Sequence, residues 1–424
     1  MPQHRRSDER PPDHSPQQME DSALLRGLTS RRMSRRDVLR YSGAGAGAVG
    51  LSALLSACGV SGTKQEKTTA KSVFEGAKKE GEVVFANWPA YIDETKKGGK
   101  KIYPSLEMFT KQTGIGVEYK TPINENETFF ATIQPSLEAG KSTGYDIIVI
   151  TNGPTLSKLI RLNYLVPLDQ SYLDNFKAHA ASAYKDPSYD PGNKYTIPWQ
   201  SGITGIGYNK RLTGREITSF DDLFDPKFKG KVGMFGDTLD MPNFALAGIG
   251  VNPETSTPDD WKKARDVLVK QRDAGIVRQY YTQNYLPALA NGDVWLTMAW
   301  SGDVFQEQRN DPDLEFVVPK EGGLIWTDNM CIPAKAEHPV DAITLMDFVY
   351  QPKIAGIIAD WVNYITPVPA AKGYIAKTLD DKPVANSPLV FPTDKTYERT
   401  YRYRVLTQKE EEQWTALFQP VYQV

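Results

Sequence analysis

Histidine is scarce. The 424 residues hold four, and His4 and His14 fall in an N-terminal stretch that reads as a removable leader. The other two, His179 and His338, stand in polar, loop-like or helix-start contexts, so a histidine-based zinc site or a Ser-His-Asp triad is hard to build. Cysteine is scarcer still, with only Cys58 and Cys331. Cys331 lies in the apolar run Asn329-Met330-Cys331-Ile332-Pro333 and reads as a small buried hydrophobe, not a catalytic thiol. Basic charge is not in excess: 50 Lys and Arg against 52 Asp and Glu give a formal −2. A mildly acidic chain without a basic face argues against nucleic acid as a partner and is compatible with cationic ligands.

The first 57 residues read as an address. Arg31-Arg32-Met33-Ser34-Arg35-Arg36-Asp37-Val38-Leu39-Arg40 has the pattern of a twin-arginine export signal, followed by a Gly/Ala-rich run over 41–57. That run is too short and glycine-rich for a stable membrane span, which needs about 20 mostly apolar residues. Its repeat at 43–47 superficially offers a dinucleotide fingerprint, but no strand precedes it. The run ends Leu55-Ser56-Ala57-Cys58, which resembles a bacterial lipobox. That resemblance implies cleavage before Cys58, lipidation of its sulfur and tethering at the outer face of the cytoplasmic membrane. Cys331 then has no partner and no disulfide framework can form. The leader holds nine arginines against six acids, so its removal takes the net charge from −2 to about −5. Residues 58–72 lack bulky apolar side chains apart from Val60 and are expected to be a flexible tether, with the globular part starting near Val73.

The remaining length exceeds what one hydrophobic core usually organises and suggests two domains. From 82 onward the pattern predicts alternating elements: strand 83–86, helix 105–113, strand 116–119, helix 127–139, strand 147–150 and helix 155–163. That alternation argues for an α/β sheet with ligand sites beyond the strand ends, where Trp88, Tyr91 and Asn152 would face a cleft. A second α/β unit is expected after a turn at 201–205. It comprises strand 232–235, a helix from near Met241, a helix over 259–274 with Trp261, Ala264, Val267 and Leu268 at core-facing spacing, and strand 294–300. Strands at 316–318 and 324–333 and a helix at 340–350 read as a return to the first unit. The last stretch, 401–422, has helical spacing and is expected to pack along the second lobe.

Residues 291–333 run one device twice. An apolar, strand-like run ends in a tryptophan, Trp300 and then Trp326, and a carboxylate, Asp303 and then Asp328, follows within three residues. An aromatic face beside an anionic oxygen suits a desolvated organic ammonium, because the ring quadrupole attracts the cation and the carboxylate neutralises it. Core packing by the rings and helix capping by the acids explain either pair equally well.

The same residues carry a resemblance. Trp300-Ser301-Gly302-Asp303, then Pro319-Lys320-Glu321-Gly322-Gly323 with Trp326 and Asp328, is similar to the bacterial spermidine/putrescine-binding proteins of ABC importers. The match continues in Asn87-Trp88-Pro89-Ala90-Tyr91, in Tyr145-Asp146-Ile147-Ile148-Val149, in Tyr195-Thr196-Ile197-Pro198-Trp199 and in Asp225-Pro226-Lys227-Phe228-Lys229-Gly230, in the family's order and spanning 81–371. It implies an α/β, two-lobed periplasmic-binding-protein fold of type II. Lobe 1 is then expected over 73–203 with 301–350 and lobe 2 over 204–300 with 351–424, with crossings near 201–204, 300–302 and 350–351.

It further implies a ligand site. Trp88 and Tyr91 match the aromatic pair that sandwiches the ligand's methylene chain, Asp237 and Asp240 the acidic pair of the second lobe, and Trp300 and Asp303 the hinge aromatic and ammonium-binding acid. Trp326 and Asp328 match the next such pair, and Tyr364 a late pocket tyrosine. Such a set suits a flexible dication, with carboxylates for the ends and rings for the apolar middle. Asp240, with Pro242 after it, also reads as a helix N-cap, Asp303 as a first-turn acid, and Trp88 and Tyr364 as packed residues. Two departures bear on the ligand: Pro89 and Ala90 stand where many relatives carry an acid, and Asp240 where glutamate is more usual. The implied partners are a polyamine and ABC permease subunits; no cofactor, metal or catalytic residue is implied, and a monomer is expected. Two rivals stay open. Tyr280-Tyr281 resembles the phenolate pair of ferric-ion-binding proteins, and the Asp237/Asp240 or Asp303/Asp328 carboxylates could serve a lipid-anchored hydrolase as acid and base.

Overall fold

The computed structural model of the protein describes residues 63–423. The expected leader, 1–57, and the lipidation site Cys58 lie outside the described residues. Part of the expected tether is seen, and it is tied down: Asn163 and Gln65 exchange hydrogen-bond partners with the body, Asn163 Nδ2 donating to the Gln65 carbonyl at 2.7 Å and Gln65 N to the Leu162 carbonyl at 3.0 Å. The helix Ala70–Phe74, capped by Thr69 and anchored by buried Phe74, begins three residues before the globular start read from the sequence.

Two βα layers share one sheet. In the first, β1 (Glu82–Ala86) lies parallel between β4 (Gly116–Lys120) and β5 (Ile147–Thr151), linked through the helices Pro104–Thr113 and Asn126–Glu138. A separate hairpin, β2 (Thr95–Lys97) and β3 (Lys100–Ile102), is inserted after β1 and was not foreseen. In the second layer β7 (Val232–Phe235) lies parallel between β8 (Val277–Tyr281) and β9 (Leu296–Trp300). The helix Pro258–Asp273 packs here, started by Pro258 and a Thr257/Asp260 capping box, and it buries Trp261, Ala264 and Leu268 as the 3.6-residue spacing requires.

Two long antiparallel strands join the layers. β6 (Thr196–Asn209) and β11 (Gly323–Cys331) pair along most of their length, giving the order β4-β1-β5-β11-β6-β9-β7-β8, with β10 (Leu314–Val317) on β6 and β12 (Thr400–Tyr401) on β11. At Asp328–Cys331 β11 also pairs with β5 in the first lobe, and at Thr204–Tyr208 β6 also pairs with β9 in the second.

This pairing changes three expectations. Residues 201–205 are not a turn but the middle of β6, and the glycines serve close approach: a Cβ on Gly202 would fall 2.3 Å from the Trp326 ring. The second crossing lies in β11 instead of at 300–302, because the helix Ser301–Glu307 packs on β6, β9 and β10 of the second lobe. Finally, the helix Pro352–Val362, assigned to lobe 2 from sequence, packs against Pro104–Thr113 of lobe 1. The chain regains lobe 2 only at β12, where Thr400 and Tyr401 pair with Gly323 and Leu324. The tail then forms the helix Gln408–Tyr422 against Pro258–Asp273, so of the stretch 401–422 Tyr401 belongs to β12, 402–407 are irregular and only the remainder is helical.

Candidate ligand-binding site

The first-lobe wall comes from the ends of β1 and β5. After β1 the chain turns sharply, with Ala90 in the left-handed region (φ 55°) and the Asn87 side chain accepting from the Trp88 amide at 2.8 Å. Trp88 Nε1 donates to the Val149 carbonyl at 3.1 Å, which lays the indole along β5. Tyr91 is buried, and its hydroxyl donates to Asp328 Oδ2 at 2.8 Å. The other oxygen of Asp328 accepts from Thr151 Oγ1 at 2.6 Å, a contact fixed by the β5/β11 register that sets Thr151 opposite Asp328. Asn152, expected to face the cleft, instead exchanges hydrogen bonds with the Thr327 backbone and clamps β11.

In the second lobe Asp237 and Asp240 divide two tasks that the sequence left combined. Asp237 Oδ1 accepts the amides of Leu239 and Asp240, at 2.8 and 2.5 Å, and so caps the helix Asp240–Gly248. Asp240 is thereby freed from capping. Its Oδ1 accepts from Thr204 Oγ1 and from the Tyr403 hydroxyl, both at 2.6 Å, and its Oδ2 from Trp300 Nε1 at 3.1 Å. Asp303, in the first turn of Ser301–Glu307, accepts from Tyr364 at 2.6 Å and from Tyr285 at 2.8 Å. Tyr285 in turn accepts the Trp300 amide at 3.0 Å.

The rings form a continuous wall between these acids. Tyr91 meets Tyr364 edge-on at 5.4 Å, Tyr364 meets Trp326 at 5.6 Å, Trp326 meets Trp300 at 6.4 Å, and Trp300 meets Tyr285 at 5.7 Å. Trp326 is held by donation from Nε1 to Thr204 at 3.1 Å, in the space that Gly202 leaves.

All nine residues singled out in the sequence line one cavity of about 210 Å³. Its wall carries six carboxylates, from Glu125, Glu127, Asp237, Asp240, Asp303 and Asp328, and no Lys, Arg or His. Burial pushes Asp328 up to about 6, against the pull of its Thr151 and Tyr91 hydrogen bonds. Burial also raises Asp303 and Asp240 although each accepts from neutral donors, and it raises Asp237, which the adjacent Asp240 charge pushes further. Burial thus makes these acids reluctant to ionise in a wall that offers no basic side chain of its own.

Sequence reasoning missed Tyr285, Tyr403, Glu125 and Glu127. Tyr403 lies in the irregular stretch after β12, where no helical or strand period marks it. Nothing local marks Tyr285, whose role follows only from the packing of its helix, Tyr285–Ala290, beside β9. The ferric alternative loses its ligands, since neither Tyr280 nor Tyr281 lines the cavity. Of the carboxylates considered for acid and base roles, Asp237 accepts backbone amides at the start of a helix and Asp303 accepts two tyrosine hydroxyls.

Aromatic walls, buried acids and long strands crossing between two α/β layers agree with what sequence comparison finds. The profile of the bacterial extracellular solute-binding protein family matches residues 105–392. The chain belongs to that family. The matched region holds the site from Asp237 to Tyr364, while Trp88, Tyr91 and Tyr403 lie outside it. The chain is 32% identical over 334 residues to a spermidine/putrescine-binding periplasmic protein of Haemophilus influenzae, covering 78% of this chain and 87% of that one. It is 30% identical over 351 residues to a putrescine-binding periplasmic protein of Pseudomonas aeruginosa, covering 78% and 88%. Among solved structures, the substrate-binding protein of a spermidine/putrescine ABC transporter from Streptococcus pneumoniae superposes with a TM-score of 0.67 at 25% identity, covering 80% of this chain and 98% of that one. The fold of this solute-binding protein is therefore the two-lobed one expected from its motifs, and no helix of the described residues is long and apolar enough to cross a membrane.

Proposed function

We propose that this solute-binding protein captures a polyamine, putrescine or spermidine, outside the cytoplasm and delivers it to an ABC permease. The observation that carries the reading is the composition of the cavity wall: six carboxylates, no basic side chain, and a run of aromatic faces between the acids. Asp303 and Asp328 each have both oxygens occupied by one hydroxyl donor, which leaves room on each oxygen for an ammonium proton. The rings would cover the methylene chain between two ammonium ends. Trp88, Tyr91, Asp237, Asp240, Trp300, Trp326 and Tyr364 supply the rest of the surface. The protein performs no chemistry; the lobes close on ligand because contacts to both are made at once. Export by the twin-arginine signal and attachment through lipidated Cys58 would hold it beside the permease.

The test is calorimetric titration of the purified protein with putrescine, cadaverine, spermidine and spermine in turn. Micromolar or tighter binding of at least one is expected. No heat with any of the four overturns the reading.

A further inference from the structure

Outside the cavity, a second set of charges joins the two lobes. Lys158 and Arg161 lie in the last turn of the helix Pro154–Arg161, which leaves β5 in the first lobe. Glu411 lies in the first turn of Gln408–Tyr422, which packs on Pro258–Asp273 in the second. Lys158 Nζ is 3.2 Å from Glu411 Oε1, and Arg161 Nη2 is 3.6 Å from Oε2, so each carboxylate oxygen faces its own cation. The side chains are 20%, 34% and 16% exposed, which sets the cluster apart from the freely solvated pairs on this surface. Helix ends reinforce it: the cations sit where one macrodipole is negative and the anion where the other is positive. Lys158 is further restrained by the Phe130 ring, 5.6 Å from its ammonium.

The tail helix is also coupled to the ligand acids. Trp414, one turn beyond Glu411, donates Nε1 to the Thr238 carbonyl at 2.6 Å, within the turn that carries Asp237 and Asp240. The Thr238 hydroxyl reaches back across the gap to Glu127 of the first lobe at 3.4 Å. Glu411 lies beyond residue 392, where the family profile ends.

Resting on the reading that ligand is captured by lobe closure, we propose that Lys158, Arg161 and Glu411 form a ligand-independent latch between the lobes. Opening must break both contacts, because the cations and the anion belong to different lobes. The latch weights the free protein toward the closed arrangement, and the apparent affinity rises in proportion to the closed fraction.

The first measurement uses no ligand. Small-angle scattering of the free protein at low salt is compared for wild type, Glu411→Gln and Lys158→Gln. Both variants are expected to show a larger radius of gyration, and high salt is expected to expand wild type toward them. Titration with putrescine and spermidine should then show affinity weakened by roughly three- to tenfold in either variant. The double variant should be weakened by less than the product of the two single effects. Lys158→Gln probes the contact from the other lobe should Glu411→Gln fail to fold. Identical scattering of wild type and variants, or fully additive effects on binding, overturns the latch. Failure of every polyamine to bind overturns the functional reading alone, because scattering reads the latch without ligand.

Discussion

Asp303→Asn separates the charge of the site from its shape. In the free protein the carboxylate accepts from Tyr364 and Tyr285, and Tyr285 is already committed as acceptor of the Trp300 amide. An asparagine can keep its oxygen toward the Tyr285 hydroxyl and turn its amide to Tyr364, whose hydroxyl then accepts. One neutral hydrogen bond is rearranged, at a cost of about 1 kcal/mol. Against that, the substitution removes a carboxylate that burial makes hard to ionise, so the free protein should be as stable as wild type or more so. Binding behaves differently. A buried ammonium that loses the charge of a hydrogen-bonded carboxylate partner forfeits about 2–4 kcal/mol, which is roughly a 30- to 1,000-fold weaker Kd. Thermal unfolding and calorimetric titration with putrescine and spermidine read the two effects independently. A variant that binds within about threefold of wild type would refute the assignment of Asp303 to an ammonium, since a threefold change is only about 0.7 kcal/mol. A variant that fails to bind because it is unfolded would refute the hydrogen-bond exchange instead.

Other outcomes follow from the same geometry. Asp328 ionises at about 6 when folded, so the folded state holds its proton more tightly than the unfolded chain, and this group's contribution to stability falls as pH rises from about 4 through 6. Polyamine binding needs the carboxylate, so affinity should climb with pH across that window with release of protons, which calorimetry in buffers of different ionisation heat would detect; pH-independent binding would contradict it. Gly202→Ala places a methyl group 2.3 Å from the Trp326 ring and should cost about 1–3 kcal/mol of stability while displacing a cavity wall, measured by denaturant unfolding and titration. His338 lies 2.9 Å from Asp146 and 3.4 Å from Glu82. Partial burial lowers its pKa, but the Asp146 hydrogen bond and the neighbouring carboxylates outweigh it and leave the pKa raised. Its stabilising effect is therefore complete below the unfolded value of about 6.5 and is lost as pH rises through the folded value, so His338→Ala should destabilise more in mild acid than in alkali.

The alternation of short strands and amphipathic helices was legible because each element carries its own period. The helix Pro258–Asp273 could be read from the core-facing spacing of Trp261, Ala264, Val267 and Leu268. So could the pair Trp300 and Asp303, since Trp300 closes β9; Trp326 and Asp328 instead stand in the middle of β11, which runs on to Cys331 because it pairs there with both β5 and β6. Strand β6 was misread where it contains Gly202 and Gly205. Glycine signals a turn locally, and only the arrival of Trp326 and Phe316 from other strands shows that it was needed for room.

By itself the sequence determined the chemistry of the wall, that is, which acids and rings are available to it. Tertiary structure decided how they are used. Asp237 became a cap and Asp240 an acceptor because backbone amides two to three residues along reach only the first carboxylate. Tyr285 and Tyr403 entered the site, and Glu411 met Lys158, across 18, 163 and 253 residues of chain, separations over which no local period carries information. Long-range contacts depend on which strands pair and in what register, and a one-residue slip would turn Asp328 away from Thr151 and Tyr91.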